Sequence, residues 1–456
     1  MRVALFVHCF YPSHIYGTET YTLELARNLR VLGHEPVVVS ATFAGEPAQP
    51  EPVHRYVYDG IPVLSIDKNA YPHSRVKDTY YQPSMARVLG ELLDEAAPDV
   101  VHVTHLINHT AVLLEAAAAR RLPMVATFTD FFGFCYNNKL EAHDGSLCEG
   151  PGAPAVNCLA CHLKAVADAS TVHDLRARIA RKPAVAAVRA RAMHLAQTLP
   201  SLRDGELGGR VQDIVQRPRI LGTLYAQYAR AIVPTAFIEG AYARNGFARP
   251  MDRIPFGVDI DRSPKRRTRD GRPLVIGFIG QVMRHKGPDL LLDAARAALR
   301  PPDYEVRLYG SMTQDPGYAA ALQERAAGLP VRFMGTFAPE RMREVMDELD
   351  VLAIPSRWYE NSPLVLLNAL ACHTPVIVAD VEGMTEFVKD GVNGYTFSRG
   401  SARSLAAVLR RISGDLPALR ARSGATEYAM TTLEMTRRTI DVYHRARAAV
   451  PQTAAV

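Results

Sequence analysis

The chain has 456 residues, of which 48% are hydrophobic and 22% charged, and its formal net charge is +6. The composition is that of a globular protein, the length favours two domains, and no apolar run reaches the ~18 residues of a membrane-spanning helix. The N-terminus lacks the small-residue cleavage site of a signal peptide, so we expect a cytoplasmic protein. The positive charge comes with no nucleic-acid-binding motif, so we expect no nucleic-acid partner.

Strand and helix patterns alternate in the first half of the chain. The apolar run at 3–7 is typical of a buried parallel strand, the spacing at 20–32 predicts a helix that Gly33 ends, and 36–40 is a second strand. These elements form a β-α-β unit. The same patterns predict a helix at 111–121, helices with loops through 162–230, and strands at 99–103, 124–128, 231–234 and 253–255.

A second alternating segment follows a linker. Residues 263–273 combine Pro, Gly and charged side chains, as linkers do, and strands alternate with helices again after them. The sequence therefore predicts an α/β protein with two Rossmann-like doubly wound domains, 1–262 and 274–430, facing each other across a cleft. A last helix is predicted at 432–449, and the sequence leaves open whether this C-terminal segment (431–456) returns to the first domain.

Residues 355–364 carry the clearest candidate site, because they lie between a predicted strand and a predicted helix. Ser362 is predicted as the N-cap and Pro363 as the first helical residue. The N–H groups at this helix start, including that of Leu364, would bind an anion or sugar hydroxyls. Glu360 could accept hydrogen bonds from hydroxyls or stabilise a developing positive charge. The alternative is an ordinary loop with a surface glutamate.

A second candidate site follows the strand predicted at 274–279. Gly280 and Gln281 end this strand, and Lys286 follows a few residues later. A cation at this place suits a diphosphate leaving group, which gains negative charge as the bond to it breaks. A surface loop with an exposed lysine is the alternative.

These segments resemble the donor site of the retaining family 4 glycosyltransferases, which have the GT-B fold. Their pattern is a Glu, seven residues, then a second Glu, and an earlier Gly-Arg followed by Lys-Gly. The resemblance implies that Glu360 contacts the transferred sugar and Lys286 the donor diphosphate. Asn368 stands where the second Glu contacts the ribose, and Gln281 stands where the family has Arg. Arg284 is the nearest substitute cation.

The resemblance extends more loosely into the first domain. The family has a Gly-Gly pair close to donor and acceptor, where this chain has Gly17 and Thr18. It often has a His facing the acceptor, where this chain has Thr129, and the following Asp130 is retained. Asp130 could orient an acceptor hydroxyl or cap the next segment. His105 ends the preceding strand and is a further acceptor-side candidate, with a purely structural role as the alternative.

Four cysteines lie within 27 residues in a loop at 135–161 that precedes the predicted helical region, so the first domain carries a Cys-rich and helical insertion. They are Cys135, Cys148, Cys158 and Cys161. The final Cys-x-x-Cys pair with two further thiols is typical of a tetrahedral structural zinc site, which a reducing compartment favours over disulfides. An iron–sulfur cluster and four independent thiols are the alternatives.

The resemblance implies transfer of a sugar from a nucleoside diphosphate sugar to a glycan or lipid-linked acceptor, with retention of configuration and no catalytic metal or cofactor. The departures at Thr129, Gln281 and Asn368 leave two alternatives open. One is a non-catalytic sugar-nucleotide-binding or scaffold protein, and the other is a sugar-nucleotide epimerase. The basic stretch 176–191 is either a solvated surface or a peripheral contact with the inner membrane face.

Overall fold

The computed structural model describes residues 1–171, 174–265 and 273–449. Residues 266–272 of the predicted linker lie outside the described residues. The chain divides into two compact units, one formed by residues 1–255 together with the helix that begins at Thr432, the other by Phe256–Thr431. None of the helices in the described ranges has both the length and the apolar character needed to cross a lipid bilayer.

The first unit is built on an eight-stranded sheet. Its strands are β1 (Arg2–Phe6), β2 (Glu35–Ala41), β3 (Val53–Tyr58), β4 (Ile61–Ile66), β5 (Val100–Val103), β6 (Met124–Thr127), β7 (Arg230–Val233) and β8 (Met251–Arg253). The strand order is β3-β4-β2-β1-β5-β6-β7-β8, and every pair is parallel except β3 with β4. Residues of β1, β5 and β6 are almost all buried, as the continuous apolar runs predict.

The helices of the first unit include the predicted insertion between β6 and β7. They are α1 (Gly17–Val31), α2 (Ala86–Ala96), α3 (Val112–Ala119), α4 (Val156–Ala169), α5 (Leu175–Ala180), α6 (Pro183–Ala196), α7 (Pro200–Arg203), α8 (Glu206–Tyr225) and α9 (Ala236–Arg244). The insertion comprises α4 to α8. It has a small core of its own, in which Leu159 of α4 packs with Ala190 of α6 and Val211 of α8.

The second unit is built on a parallel six-stranded sheet, ordered β11-β10-β9-β12-β13-β14. Its strands are β9 (Leu274–Ile279), β10 (Tyr304–Tyr309), β11 (Val331–Gly335), β12 (Val351–Ile354), β13 (Val376–Ala379) and β14 (Gly394–Phe397). Its helices are α10 (Pro288–Ala298), α11 (Pro316–Ala326), α12 (Met342–Glu348), α13 (Leu364–Ala371), α14 (Ala402–Gly414) and α15 (Leu416–Ala421). The predicted pair of Rossmann-like α/β domains is confirmed.

The boundary between the units lies before Phe256 rather than after residue 262. The reason is that this short segment is bonded to the end of the second unit. The Val258 amide donates to the Met430 carbonyl at 3.1 Å, and the Tyr428 hydroxyl donates to the Phe256 carbonyl.

The last helix, α16 (Thr432–Ala449), belongs to the first unit and packs against α1, β6 and β7. Its Tyr443 hydroxyl lies 2.7 Å from His102 Nδ1, while His102 Nε2 lies 2.7 Å from the Thr127 hydroxyl. His102 is fully buried, and burial lowers its pKa to about 3. The histidine is therefore a structural hydrogen-bonding group that joins β5, β6 and α16.

The buried His102 gives a prediction for stability against pH. Between pH 6.5 and about 3 the unfolded chain binds a proton at this residue and the folded chain does not. The free energy of unfolding is therefore expected to fall as the pH drops, by about 1.4 kcal/mol per pH unit from this residue. Urea unfolding at several pH values should give a flatter dependence for His102→Gln than for the wild type. His444→Gln, at an exposed residue of α16, is the control, and equal slopes for all three proteins would contradict the prediction.

Among the parallel strands, each sheet has one place where the direction of the strand order reverses. In the first unit it lies between β1 and β5, and in the second between β9 and β12. Loops diverge at such places, and ligands of open parallel sheets bind there, at the carboxyl ends of the strands.

Candidate active site

The loops after β9 and β12 are bound to each other at the reversal point of the second sheet. The Arg357 amide donates to the His285 carbonyl at 2.8 Å, and the Arg357 guanidinium donates to the Arg284 carbonyl at 2.7 Å. The same guanidinium makes two bonds of 2.7 Å to the Asp289 carboxylate at the start of α10. Bidentate pairs of this kind fix geometry, so the two loops form one platform.

The electrostatics of Asp289 fit this supporting role. Burial opposes ionisation of this carboxyl, but hydrogen bonds from Arg357 and from the Tyr318 hydroxyl (2.6 Å) outweigh that effect and lower its pKa. The carboxylate therefore stays ionised and keeps holding Arg357 in place.

Glu360 accepts three hydrogen bonds on this platform. Its Oε1 lies 2.7 Å from Lys286 Nζ, 2.6 Å from Ser356 Oγ and 3.2 Å from Trp358 Nε1. The Glu360 side chain is 8% exposed and that of Lys286 is 23% exposed. The ring of Trp358 also lies against that of His285, with a centroid distance of 3.7 Å and an angle of 36° between the ring planes. The two residues that the sequence selected independently, Lys286 and Glu360, are thus in direct contact.

Two glycines permit the close packing of these loops. Gly383 has φ of +84° and lies against the backbone of Glu360, where a Cβ atom would overlap the Glu360 carbonyl oxygen. Gly287, beside Lys286, has φ of +72°, and its Cβ would overlap the Pro355 carbonyl oxygen. Only glycine adopts a positive φ without strain and also leaves room for these backbone contacts.

The predicted start of α13 is wrong by one residue. The helix begins at Leu364, and Pro363 takes the cap position without a side-chain bond. Ser362 has φ of +57°, which directs the chain away from the N-cap conformation, and its buried hydroxyl has no hydrogen-bond partner among the described residues. The first amide to donate in this helical turn is that of Leu366, which bonds to the Pro363 carbonyl at 2.9 Å. The amides of Leu364 and Val365 come before it in the chain and make no bond within the helix.

The other predicted donor residues surround the Lys286–Glu360 pair without joining it. Gln281 is half-buried beyond Gly280 at the end of β9, and Arg284 is exposed on the loop that carries Lys286. Neither the Arg284 nor the Asn368 side chain makes a hydrogen bond to any residue that the structure describes. Asn368 lies half-buried on α13.

In the first unit, His105 after β5 meets Asp130 after β6. His105 Nε2 lies 2.8 Å from Asp130 Oδ2, and the Ile107 amide donates to His105 Nδ1 at 3.0 Å. Since Nδ1 accepts a bond, the proton is on Nε2, which donates to Asp130. The Phe132 amide donates to the other Asp130 oxygen at 2.9 Å. The carboxylate is held in place and, at 24% exposure, can still accept a bond from a ligand hydroxyl.

A second polar cluster lies beside this pair at the reversal point of the first sheet. Glu19 Oε1 lies 3.0 Å from His8 Nε2 and 2.9 Å from Cys9 Sγ, and the His8 ring lies 4.5 Å from that of His105. In the described parts of the chain, His8, Cys9 and Glu19 are the one set of three metal-binding side chains with ligand atoms all within 4.8 Å. Burial lowers the pKa of His8 well below its usual range, so the imidazole is neutral and donates to Glu19.

The predicted start of the first helix at residue 20 is wrong, because α1 begins at Gly17 and includes Gly17 and Thr18 in its first turn. The Thr20 amide already donates to the Tyr16 carbonyl, and an acidic residue in the first turn, Glu19, favours an early helix start. The Thr129 hydroxyl donates to the Thr104 carbonyl at 3.1 Å.

A groove of about 320 Å³ opens at the carboxyl ends of β1 and β2. Aromatic and polar side chains line it, among them Tyr11, His14, Gln49 and Tyr56. Such a mixture of rings and hydrogen-bonding groups suits a polyhydroxylated ligand.

Two family patterns match the chain, one in each unit. The pattern described as "Glycosyltransferase Family 4" matches residues 15–144, and "Glycosyl transferases group 1" matches residues 273–415. Together they span more than half of the chain. The chain belongs to the family 4 glycosyltransferases.

Relatives of this family 4 glycosyltransferase are known by sequence and by structure. The D-inositol 3-phosphate glycosyltransferase of Geodermatophilus obscurus is 32% identical over 244 residues, which are 48% of this chain and 53% of that relative. The match thus spans about half the relative's length. Anabaena HepE, solved in complex with UDP and glucose, has a TM-score of 0.63 at 15% identity, covering 97% of this chain and 99% of HepE. Sucrose-phosphate synthase from Thermosynechococcus elongatus has a TM-score of 0.65 at 15% identity, covering 98% and 99%. These likenesses establish the GT-B fold.

Sequence reasoning missed several side chains around Lys286 and Glu360. Ser356 and Trp358 both donate to Glu360, and the His285 ring lies against that of Trp358. Ser356 and Trp358 stood inside the selected segment 355–364, and Trp358 is the single Trp of the chain. Their proximity to Glu360 in sequence was the available signal.

Proposed function

We propose that the chain transfers a sugar from a nucleoside diphosphate sugar to a glycan or lipid-linked acceptor, with retention of anomeric configuration. The contact between Lys286 and Glu360 at the reversal point of the second sheet carries this proposal. It places a cation and a carboxylate together where phosphates and sugars bind in parallel α/β sheets. Retention is the stereochemistry that the family resemblance implies.

The donor would bind to the second unit. The Lys286 ammonium has three protons, of which one is directed to Glu360, so two can reach the diphosphate. Glu360 Oε1 is fully used, which leaves Oε2 to accept from sugar hydroxyls. The amides of Leu364 and Val365 at the positive end of α13 offer further donors. Asn368 and Gln281 would contact the nucleoside and phosphates as neutral groups.

The acceptor would bind to the first unit. Asp130, fixed by His105 and the Phe132 amide, can orient an acceptor hydroxyl and take up its proton. The nearby groove with Tyr11 and Tyr56 offers surfaces for a sugar or cyclitol ring. Because a relative is named for D-inositol 3-phosphate, this compound belongs among the acceptors to test.

Calorimetric titration with UDP, GDP, ADP and their common sugar conjugates tests the donor site. We expect one nucleotide to bind and Lys286→Ala to weaken the binding. Turnover is then measured as nucleotide release with and without acceptors, including D-inositol 3-phosphate. No binding of any nucleotide would overturn the proposal and favour a scaffold protein. Conversion of the donor without any acceptor would favour an epimerase.

We further propose that the helical insertion contacts an anionic membrane surface, as a lipid-linked acceptor would require. Residues 175–203 contain seven basic side chains and no Asp or Glu, and several large apolar side chains there face solvent. Leu175, Val188 and Leu195 are 69%, 65% and 66% exposed. The basic residues are Arg176, Arg178, Arg181, Lys182, Arg189, Arg191 and Arg203.

Helix α6 has the geometry of an interfacial helix. Ala186 and Ala190 face the core of the insertion, and Val188, Ala192 and Leu195 lie on the opposite, exposed side. Arg189 and Arg191 flank this apolar stripe, and neither has a carboxylate partner in the described residues. Apolar area bordered by unpaired cations matches anionic lipid, whereas a second copy of the same face would be repelled.

Vesicle sedimentation tests the membrane proposal. We expect binding to equimolar phosphatidylglycerol and phosphatidylcholine, weaker binding at high salt, and no binding to phosphatidylcholine alone. Arg189→Glu with Arg191→Glu should weaken binding by about 10-fold or more. The same charge change at exposed Arg403 and Arg437 is the control. Equal binding by both double variants, or no binding to the anionic vesicles, would overturn the proposal.

A further inference from the structure

We propose that Cys135, Cys148, Cys158 and Cys161 form a structural zinc site that joins the loop after β6 to the helical insertion. Folding brings the four residues together from three places. Cys135 follows β6, Cys148 ends a short hairpin, and Cys158 and Cys161 lie one turn apart on α4. The inference does not rest on sugar transfer.

The hairpin positions Cys148 next to the Cys135 loop. Glu141 and Leu147 form an antiparallel bridge, and the Cys148 amide donates to the Leu140 carbonyl at 2.8 Å. On the other side, Cys161 Sγ lies 4.0 Å from the Glu141 carbonyl. The hairpin thus lies between the first cysteine and helix α4, and has contacts to both.

Two amide groups lie near the Cys148 sulfur. The Gly150 amide donates to Cys148 Sγ at 3.4 Å, and the Asn157 side-chain amide lies 3.9 Å from the same atom. Amide donors around sulfur stabilise thiolates and are the usual second layer of a thiolate metal site.

In the described residues no three of the sulfurs all lie within 4.8 Å. Closing to the ~3.8 Å sulfur separation of a tetrahedral zinc site therefore requires side-chain rotations. Cys148 and Cys161 are half-buried, whereas Cys135 and Cys158 are buried.

A buried cation beside the cluster supplies independent support. Arg217 of α8 is 4% exposed and donates to the Cys135 carbonyl at 2.7 Å and the Phe132 carbonyl at 2.8 Å. Among the residues described here it has no carboxylate ion pair, although buried charges are normally paired. Zinc bound by four thiolates has a net charge of about −2 and would neutralise it.

Elemental analysis of the untagged full-length protein tests the site. We expect about one zinc ion per chain, and cobalt substitution should give the visible absorption of a tetrahedral thiolate complex. Cys148→Ser and Cys161→Ser should lose the metal, and Cys372→Ser, at a buried cysteine of the second unit, should retain it. Metal-free folded protein, iron in place of zinc, or disulfide-bonded cysteines by mass spectrometry would each overturn the inference. The metal content of the wild-type protein tests the zinc site even if a variant does not fold.

Discussion

Replacing Lys286 with Ala, or Glu360 with Gln, is expected to lower the rate of sugar transfer by about 100-fold or more. Lys286→Ala removes the cation that would stabilise the departing diphosphate. Glu360→Gln keeps the size of the side chain and its bonds to Ser356 and Trp358, but removes the charge paired with Lys286. Initial rates at saturating donor and acceptor give the comparison, with circular dichroism as the check that both variants fold.

Matched controls for these variants lie on the surface of the same unit. Lys389→Ala and Glu382→Gln make the same chemical changes at exposed positions and should leave the rate unchanged. The two site variants should also differ from each other. Lys286→Ala should weaken binding of the free nucleoside diphosphate, whereas Glu360→Gln should affect the sugar-containing donor more. Rates like those of the wild type in both site variants would disprove the proposed site.

Replacing Gly383 with Ala is expected to destabilise the second unit by about 3 kcal/mol or more and to abolish donor binding. Gly383 has a left-handed backbone conformation, which alone costs an alanine about 1–2 kcal/mol. Its added methyl group would also overlap the Glu360 carbonyl oxygen and displace that residue. Chemical denaturation measures the stability, and calorimetric titration measures the binding.

Gly400 provides a control that separates these two effects. It has φ of +71°, close to the +84° of Gly383, but no atom lies within 4 Å of the place where its Cβ would be. Gly400→Ala should therefore cost only the conformational term and leave donor binding intact. If both variants lost the same stability and both bound the donor, the packing of Gly383 against Glu360 would have no functional meaning.

The donor side was predictable because its signals are local. Lys286 and Glu360 each follow a strand of strong apolar pattern, and the strand predicted at 274–279 has the bounds of β9. The contact between the two residues depends on β9 lying next to β12, which no short motif encodes. The N-cap prediction at Ser362 failed because its left-handed backbone depends on the folded loop.

The acceptor side was less predictable for the same physical reason. His105 and Asp130 were selected separately, and their hydrogen bond follows from the pairing of β5 with β6. Glu19 stands among polar residues in the sequence, so its burial beside His8 was not apparent. The hairpin of β3 and β4 did carry a local signal, Asp59-Gly60, with φ of +51° and +70°, which is a typical tight hairpin turn.

The placement of α16 has a consequence for synthesis. The first unit takes residues from both sides of the second, so its last helix leaves the ribosome only after all of Phe256–Thr431 has been made. The second unit is continuous and can fold as it emerges. The surface of β6 and β7 that α16 covers stays exposed until α16 has been made. His102 lacks its Tyr443 partner during that interval. The N-terminal half of this protein is therefore expected to complete its folding last.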